Sequence, residues 1–283
     1  MTLFSALEDL GELLATKLTA KGVTASANDG LTTLAGKIDD IETGGGGGSD
    51  ILTIDDSKAY KWGFTPNHLI TAVNIPSGTT QLAHNAFREC TNLPSITIPN
   101  TVTVIGDYVF FNCKSLTSIS IPNGVTSIGS SAFQQCINLN SITLPNTITS
   151  IGSSAFRNCT SLTSITLPSG ITSISSSLFS ESGIATITIP NSVTTIGNTA
   201  FGYCASLTSI DIPSNVTSIS NYAFQSCSNL TSITFERTTP PTIGANAFQN
   251  VTATVTVPAG TLSAYQTALS GKGGTLTIVE ASE

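Results

Sequence analysis

Proline precedes a turn at Pro76, Pro99, Pro122, Pro145, Pro168, Pro190 and Pro213, in steps of 23, 23, 23, 23, 22 and 23 residues. Phenylalanine keeps the same ruler at Phe87, Phe110, Phe133, Phe156, Phe179, Phe201 and Phe224, and Phe248 follows one residue late. A fixed period of this length constrains the fold more than any local propensity. One short unit cannot bury its own apolar side chains, whereas stacked copies form a continuous core.

Aligned on these marks, a unit reads approximately Leu-x-Ser-Ile-Thr-Ile-Pro-Asn-x-Val-Thr-Ser-Ile-Gly-x-x-Ala-Phe-x-x-Cys-x-x, as in the units beginning at Leu116 and Leu139. Ser118-Ile119-Ser120-Ile121 alternates polar and apolar residues, the mark of a half-buried strand, and Pro122 ends it. A second alternation from Val125 to Ile128 leads to a glycine and then a short Ala-Phe turn that plugs the interior. Seven units are clear and an eighth is partial.

These registered Ile-x-Ile-Pro and Ala-Phe positions, over roughly Asn67 to Asn250, resemble the BspA-like (Treponema pallidum type) leucine-rich repeat family. The resemblance implies a right-handed, β-rich solenoid of 23-residue repeats. Members of that family are typically non-enzymatic surface or host-interaction proteins that bind other proteins or extracellular matrix. The expected organisation is a helical head over 1–42, a Gly-rich linker over 43–49, an N-terminal cap over 50–66, the array over 67–250 and a C-terminal cap over 251–283. The cap tract from Ala253 to Pro258, with Ala259 to Leu269 after it, resembles the strand and short helix that close such arrays.

The head differs in kind from the array. Residues 1–56 hold ten acids against three lysines and so carry −7, the formal charge of the whole chain. Leu3, Leu7, Leu10, Leu14 and Leu18 follow helical spacing, and a second helical run from Gly30 to Ile41 opens after the capping residues Asn28 and Asp29. Two short helices with a leucine stripe need a partner, so these leucines are candidate assembly residues, for a homo-oligomer or a larger particle. The stretch from Leu18 to Ile38 is similar to short modules on phage and prophage virion proteins, tail-associated ones included. Gly44 to Gly48, natural tether or engineered join, leave head and array free to move independently.

Several function classes fall away. Charged residues are only 10% of the chain and no basic stripe exists, so nucleic acid is not the expected partner. No stretch approaches the roughly 18 to 20 apolar residues of a membrane span. The start has no basic segment, so no secretory signal is visible and synthesis is expected in the cytoplasm, with the protein acting on a virion or at an extracellular or cell surface. Cys90, Cys113, Cys136, Cys159, Cys204 and Cys227 occupy one column of the repeat, and Ser182 fills the missing rung. That spacing is no zinc motif, and parallel Cβ vectors hold neighbouring rungs beyond the about 3.8 Å a disulfide needs, so buried free thiols are expected. His68 and His84, the scattered carboxylates and the Ser/Thr strings offer no acid–base pair and no triad. No enzyme activity, metal or cofactor is expected.

The surface remains. Outward columns read Ser95, Ser118, Ser141, Ser164, Thr186, Ser209, Ser232 and, beside them, Thr97, Ser120, Thr143, Thr166, Thr188, Asp211, Thr234. A third column on the other ladder includes Thr103, Thr126, Thr149, Thr172, Thr194 and Thr217. Ser118, Ser141, Ser164, Thr143, Thr166 and Thr188 are candidate contacts for a protein or glycan. Tyr108, Phe111, Arg157, Glu181, Tyr203, Asp211 and Tyr222 interrupt the uniformity and are candidate specificity residues; Phe111 and the tyrosines are expected in the variable turn after the plug. The functional expectation is a tethered binding protein, on a phage or prophage tail recognising a host surface component. A cellular BspA-like surface protein and a self-assembling solenoid are its alternatives.

Overall fold

The structure, a computed structural model, describes residues 51–53, 68 and 70–282. The expected head with Leu3, Leu7, Leu10, Leu14 and Leu18, the linker and most of the N-terminal cap lie outside the described residues. The rest is a parallel β-solenoid of about 9 turns. Each rung carries a first strand, a second strand and a tight turn, and each stacks on its equivalent one rung away.

The second strands form two four-stranded parallel sheets. One joins Gln81–Leu82, Val104–Ile105, Ser127–Ile128 and Ser150–Ile151. The other joins Ser173–Ile174, Thr195–Ile196, Ser218–Ile219 and Thr242–Ile243. The first strands are broken more often. Ile51–Thr53 pairs Ala72–Asn74, and Ser118–Ser120 pairs Ser141–Thr143. A four-stranded sheet then runs through Ser209–Ile212, Ser232–Phe235, Thr252–Val257 and Thr275–Glu280.

The turns form the ladder with the longest unbroken run, and their geometry explains why. In the turn holding Phe110, the N–H groups of Tyr108, Phe110 and Asn112 donate to Ser130, Ala132 and Gln134 of the next rung, at 2.7–2.9 Å. The intervening Phe111 and Cys113 donate within the turn, to Tyr108 and Phe110. Alternate amides thus bond between rungs and within them, which pairs the corner's buried donors. The arrangement needs a left-handed residue at each end: Tyr108 and Asn112, Ser131 and Gln135, Ser154 and Asn158 and their equivalents have φ of 54–64°. Outside glycine that conformation costs about 1–2 kcal/mol per residue, and the inter-rung bonds offset it.

Inside this cage Phe87, Phe110, Phe133, Phe156, Phe179, Phe201, Phe224 and Phe248 are fully buried, with successive ring centroids 5.2–5.8 Å apart and rings within 19° of parallel. The leucine, isoleucine and valine positions of each unit complete one continuous core. At the C-terminal end the helix α1 (Leu262–Leu269) stacks over the last second strand and buries Tyr265 and Leu269. The Tyr265 ring meets Phe235 at 5.0 Å, and its hydroxyl donates to Arg237 O.

The single 22-residue step has a local cause. Gly183 is buried, its N–H donates to Cys159 O at 3.1 Å, and a Cβ there would lie 2.1 Å from the backbone oxygen of Thr160. Gly183→Ala must push two rungs apart against backbone. The expected loss is about 3 kcal/mol, the upper range for overpacking, read from a urea midpoint shift at constant slope. An unchanged midpoint would refute this account of the short repeat.

Candidate functional site

The first-strand hydroxyl columns, with Asp211 among them, and the remaining aromatic and charged candidates occupy different sides of the rung. Ser118, Ser141, Ser164, Thr143, Thr166, Thr188 and Asp211 are exposed on the outer face of the first strands. Tyr108, Phe111, Arg157, Glu181, Tyr203 and Tyr222 stand on the turn ladder. Tyr108 and Tyr222 precede the plug by two residues, so the expectation that all the tyrosines follow it is corrected. The left-handed turn residue comes before the phenylalanine as well as after it.

On the turn ladder two small constellations are partnered already. Tyr108 and Phe111 meet edge to face at 5.9 Å, and the guanidinium of Arg88, a residue missed in sequence, lies 5.0 Å from the Phe111 ring centroid. Arg88 was open to detection, because it occupies the Phe111 column one rung earlier. Farther along, Arg157 Nη2 donates to Glu181 Oε1 at 2.7 Å and Asn158 Nδ2 donates to Glu181 Oε2 at 3.1 Å. Half-exposed as it is, this ion pair contributes about 0.2–1 kcal/mol and chiefly fixes the turn. Tyr203 is 49% exposed and presents the ladder's most open ring.

The third hydroxyl column is structural rather than free. Thr103, Thr126, Thr194 and Thr217 donate their Oγ1 hydroxyls to the carbonyl one rung back, at 3.1–3.3 Å. The four Asn-x-Ser/Thr asparagines are similarly engaged. Asn215 and Asn229 donate to Asn191 O and Ala205 O, Asn158 to Glu181, and Asn250 to Ser226 Oγ.

The first-strand face is where the regular lattice fails. Between Ser141–Thr143 and Ser209–Ile212, the extended stretches 164–167 and 186–189 join no sheet among the described residues; near them Ala185 N donates to Thr163 O at 2.9 Å and Gly183 N to Cys159 O at 3.1 Å, holding the rungs in register. A groove of about 280 Å³ opens there, lined by Ser164, Thr166, Thr186, Thr188, Ser209 and Asp211, with Ile165, Ile187 and Ile210 at its floor. It brings together Ser164, Thr166, Thr188 and Asp211 of the candidate contacts and leaves Ser118, Ser141 and Thr143 on the paired strands beyond it. Five hydroxyls and one carboxylate face solvent together there, beside stretches whose backbone joins no sheet among the described residues. The sequence signal for this place is the 22-residue step from Pro168 to Pro190.

All six cysteines are buried and free. Their thiols are not a lattice of idle sulfurs: Cys113, Cys136, Cys159, Cys204 and Cys227 each donate to the carbonyl of the plug phenylalanine one rung back, at 2.9–3.1 Å. Burial pushes the Cys90 and Cys159 thiols up to about 12 and that of Cys204 to about 11. A thiol held this far above neutrality is no nucleophile. Among the described residues no group of three or more His, Cys, Asp or Glu stands together as a metal site. No described helix is long and apolar enough to cross a membrane.

Residues 60–159 and 126–255 match the family described as BspA type leucine rich repeat region, in 6 copies. Among solved structures, a leucine-rich repeat protein from Bacteroides ovatus ATCC 8483 is 24% identical, covering 81% of this chain and 69% of that one, with a TM-score of 0.59. The T. pallidum leucine rich repeat protein is 25% identical over 81% of this chain and 91% of its own, with a TM-score of 0.49. A comparison with curated proteins returns no match.

Proposed function

The chain belongs to the BspA-type leucine-rich repeat family, and from that premise we propose that it is a non-enzymatic binding protein whose array holds a protein or glycan of a host surface. The observation that carries this reading is the interrupted first-strand ladder, with its groove between Ser164 and Asp211. Hydroxyls and open backbone groups exchange hydrogen bonds with a polar, hydroxyl- or amide-rich ligand. Asp211, the groove's one carboxylate, accepts from a ligand hydroxyl, amide or cation.

Binding of the full chain to an array of host-envelope glycans and extended peptides tests this reading. Asp211→Asn is expected to weaken the best ligand about tenfold, through loss of a charge-assisted bond, and Thr166→Val combined with Thr188→Val to weaken it comparably. Substitution of Tyr203 on the turn ladder leaves it unchanged. Equal losses from Tyr203→Ala and none from Asp211→Asn would move the contact surface to the turns.

The acidic head, with its leucine stripe and glycine tether, supports attachment of the array to a larger assembly, a phage or prophage virion. A cellular surface protein of the BspA type is the second reading, supported by the family itself. Fractionation separates them: a virion component sediments with particles, whereas the cellular protein stays with cells that release none.

A further inference from the structure

Among the described residues, no strand covers the outer edge of Thr275–Glu280. Thr275–Glu280 bonds to Thr252–Val257 on one side only, in parallel register from Thr252 opposite Thr275 to Val257 opposite Glu280. Thr275 N donates to Val251 O and Ala281 N to Val257 O. In a parallel pair alternate residues face the partner, so the N–H and C=O groups of Leu276, Ile278 and Glu280 point outward, and none of them has a partner among the described residues. Exposed edges are ordinarily blunted by lysine, proline or a bulge, and this strand, Thr-Leu-Thr-Ile-Val-Glu, carries none of these. Its apolar side chains are also left open. Leu276 and Ile278 are only half-buried, and with Leu269 they line a groove of about 470 Å³ beside α1.

We propose that this edge is the interface of a two-fold dimer, in which Thr275–Glu280 pairs antiparallel with the same strand of a second copy about an axis through Thr277. Two observations select that occupant and that register. The outward-facing residues must become hydrogen-bonded pairs, and centring on Thr277 sets Leu276 opposite Ile278 of the second copy, so these two exchange both backbone bonds. The same register sets apolar against apolar on the inner face and Thr275 opposite Val279 on the outer face, and joins the two open grooves. The pairing is isologous and closes at two copies, and it merges two four-stranded sheets into one. Among the described residues the first strand is Ile51–Thr53, of 3 residues, so head-to-tail growth onto it would pair far less backbone.

Thr277 is exposed and on the axis, so a charge there meets its own copy across a pair about 4.5 Å apart without touching the core. Sedimentation velocity of the full chain, from about 1 µM to several hundred µM, is expected to show a monomer–dimer equilibrium. Thr277→Glu and Thr277→Lys should each raise its dissociation constant on the order of tenfold, and an equimolar mixture of the two variants should restore wild-type affinity. A monomer at every concentration overturns the proposal. So does a dimer indifferent to either variant, which would place the contact elsewhere, as in the head. Filaments that lengthen with concentration would assign the edge to head-to-tail pairing. Variants that fail to recover on mixing would show the register to be wrong.

Discussion

Raising the pH through about 10 to 11 is expected to unfold the whole array in one narrow step, with thiolate absorbance rising in the same step and not before it. Burial lifts all six thiols above their ordinary value of 9.0, with Cys204 at about 11 and Cys90 and Cys159 at about 12. Below pH 9 a thiol is protonated whether folded or not, and its contribution to stability is fully present. Above that value the unfolded chain loses the proton and the folded chain keeps it, so stability falls until the folded value is passed. Each thiol withdraws about 1.4 kcal/mol per pH unit. Six in concert exceed, within about two units, the roughly 5–15 kcal/mol that holds a typical domain. Circular dichroism and absorbance near 240 nm, followed in one titration, check this. Thiolate appearing near pH 9 with circular dichroism unchanged would show the column to be accessible.

The second large effect is expected at Phe156. Its ring is fully buried and stacks on Phe133 at 5.5 Å and on Phe179 at 5.8 Å, the widest step in the column. Both strand ladders are interrupted in this neighbourhood: the second between Ser150–Ile151 and Ser173–Ile174, the first along 164–167 and 186–189. Besides the aliphatic core and a few bonds such as Ser175 Oγ to Ile151 O, what couples the two halves here is the turn ladder, with Phe156 N donating to Leu178 O at 3.0 Å, and the ring stack itself. Phe156→Ala removes the stack at that point, for a loss of about 3–5 kcal/mol. Because each rung contacts only its neighbours, the loss is expected to split unfolding into two transitions, where Phe133→Ala, inside continuous pairing, costs as much and keeps one. Calorimetry of the two variants is the measurement. A single transition for Phe156→Ala would mean that the halves are coupled by something other than ladder and stack.

Much of the solenoid was legible because each rung repeats the same burial problem. The Phe, Cys, Leu and Ile columns are set by which side chains must leave water, and the period reports that directly. The turn conformation was not legible. Its left-handed positions are held by Tyr108, Ser131, Gln135, Ser154, Glu181 and Thr199 as well as by asparagines, and glycine, the usual marker, holds none of them. The inter-rung bonds that offset this conformation exist only once rungs are stacked. The candidate site was legible in part. Asp211 and the hydroxyl columns stood out as breaks or repeats in a pattern, but the grouping of Ser164, Thr166, Thr188 and Asp211 around a groove depends on pairing that fails there. Arg157 and Glu181, 24 residues apart, were singled out separately and prove to be each other's partner.

By itself the sequence determined the repeat, its length, the inward and outward columns, the free thiols and the one irregular step, since each follows from side-chain chemistry recurring at fixed spacing. Only the tertiary structure decided which rungs bond to which, where the first-strand sheet opens, and which strand is left with an unpaired edge. Those depend on backbone groups that every residue carries alike, so no side-chain pattern records how adjacent rungs share them.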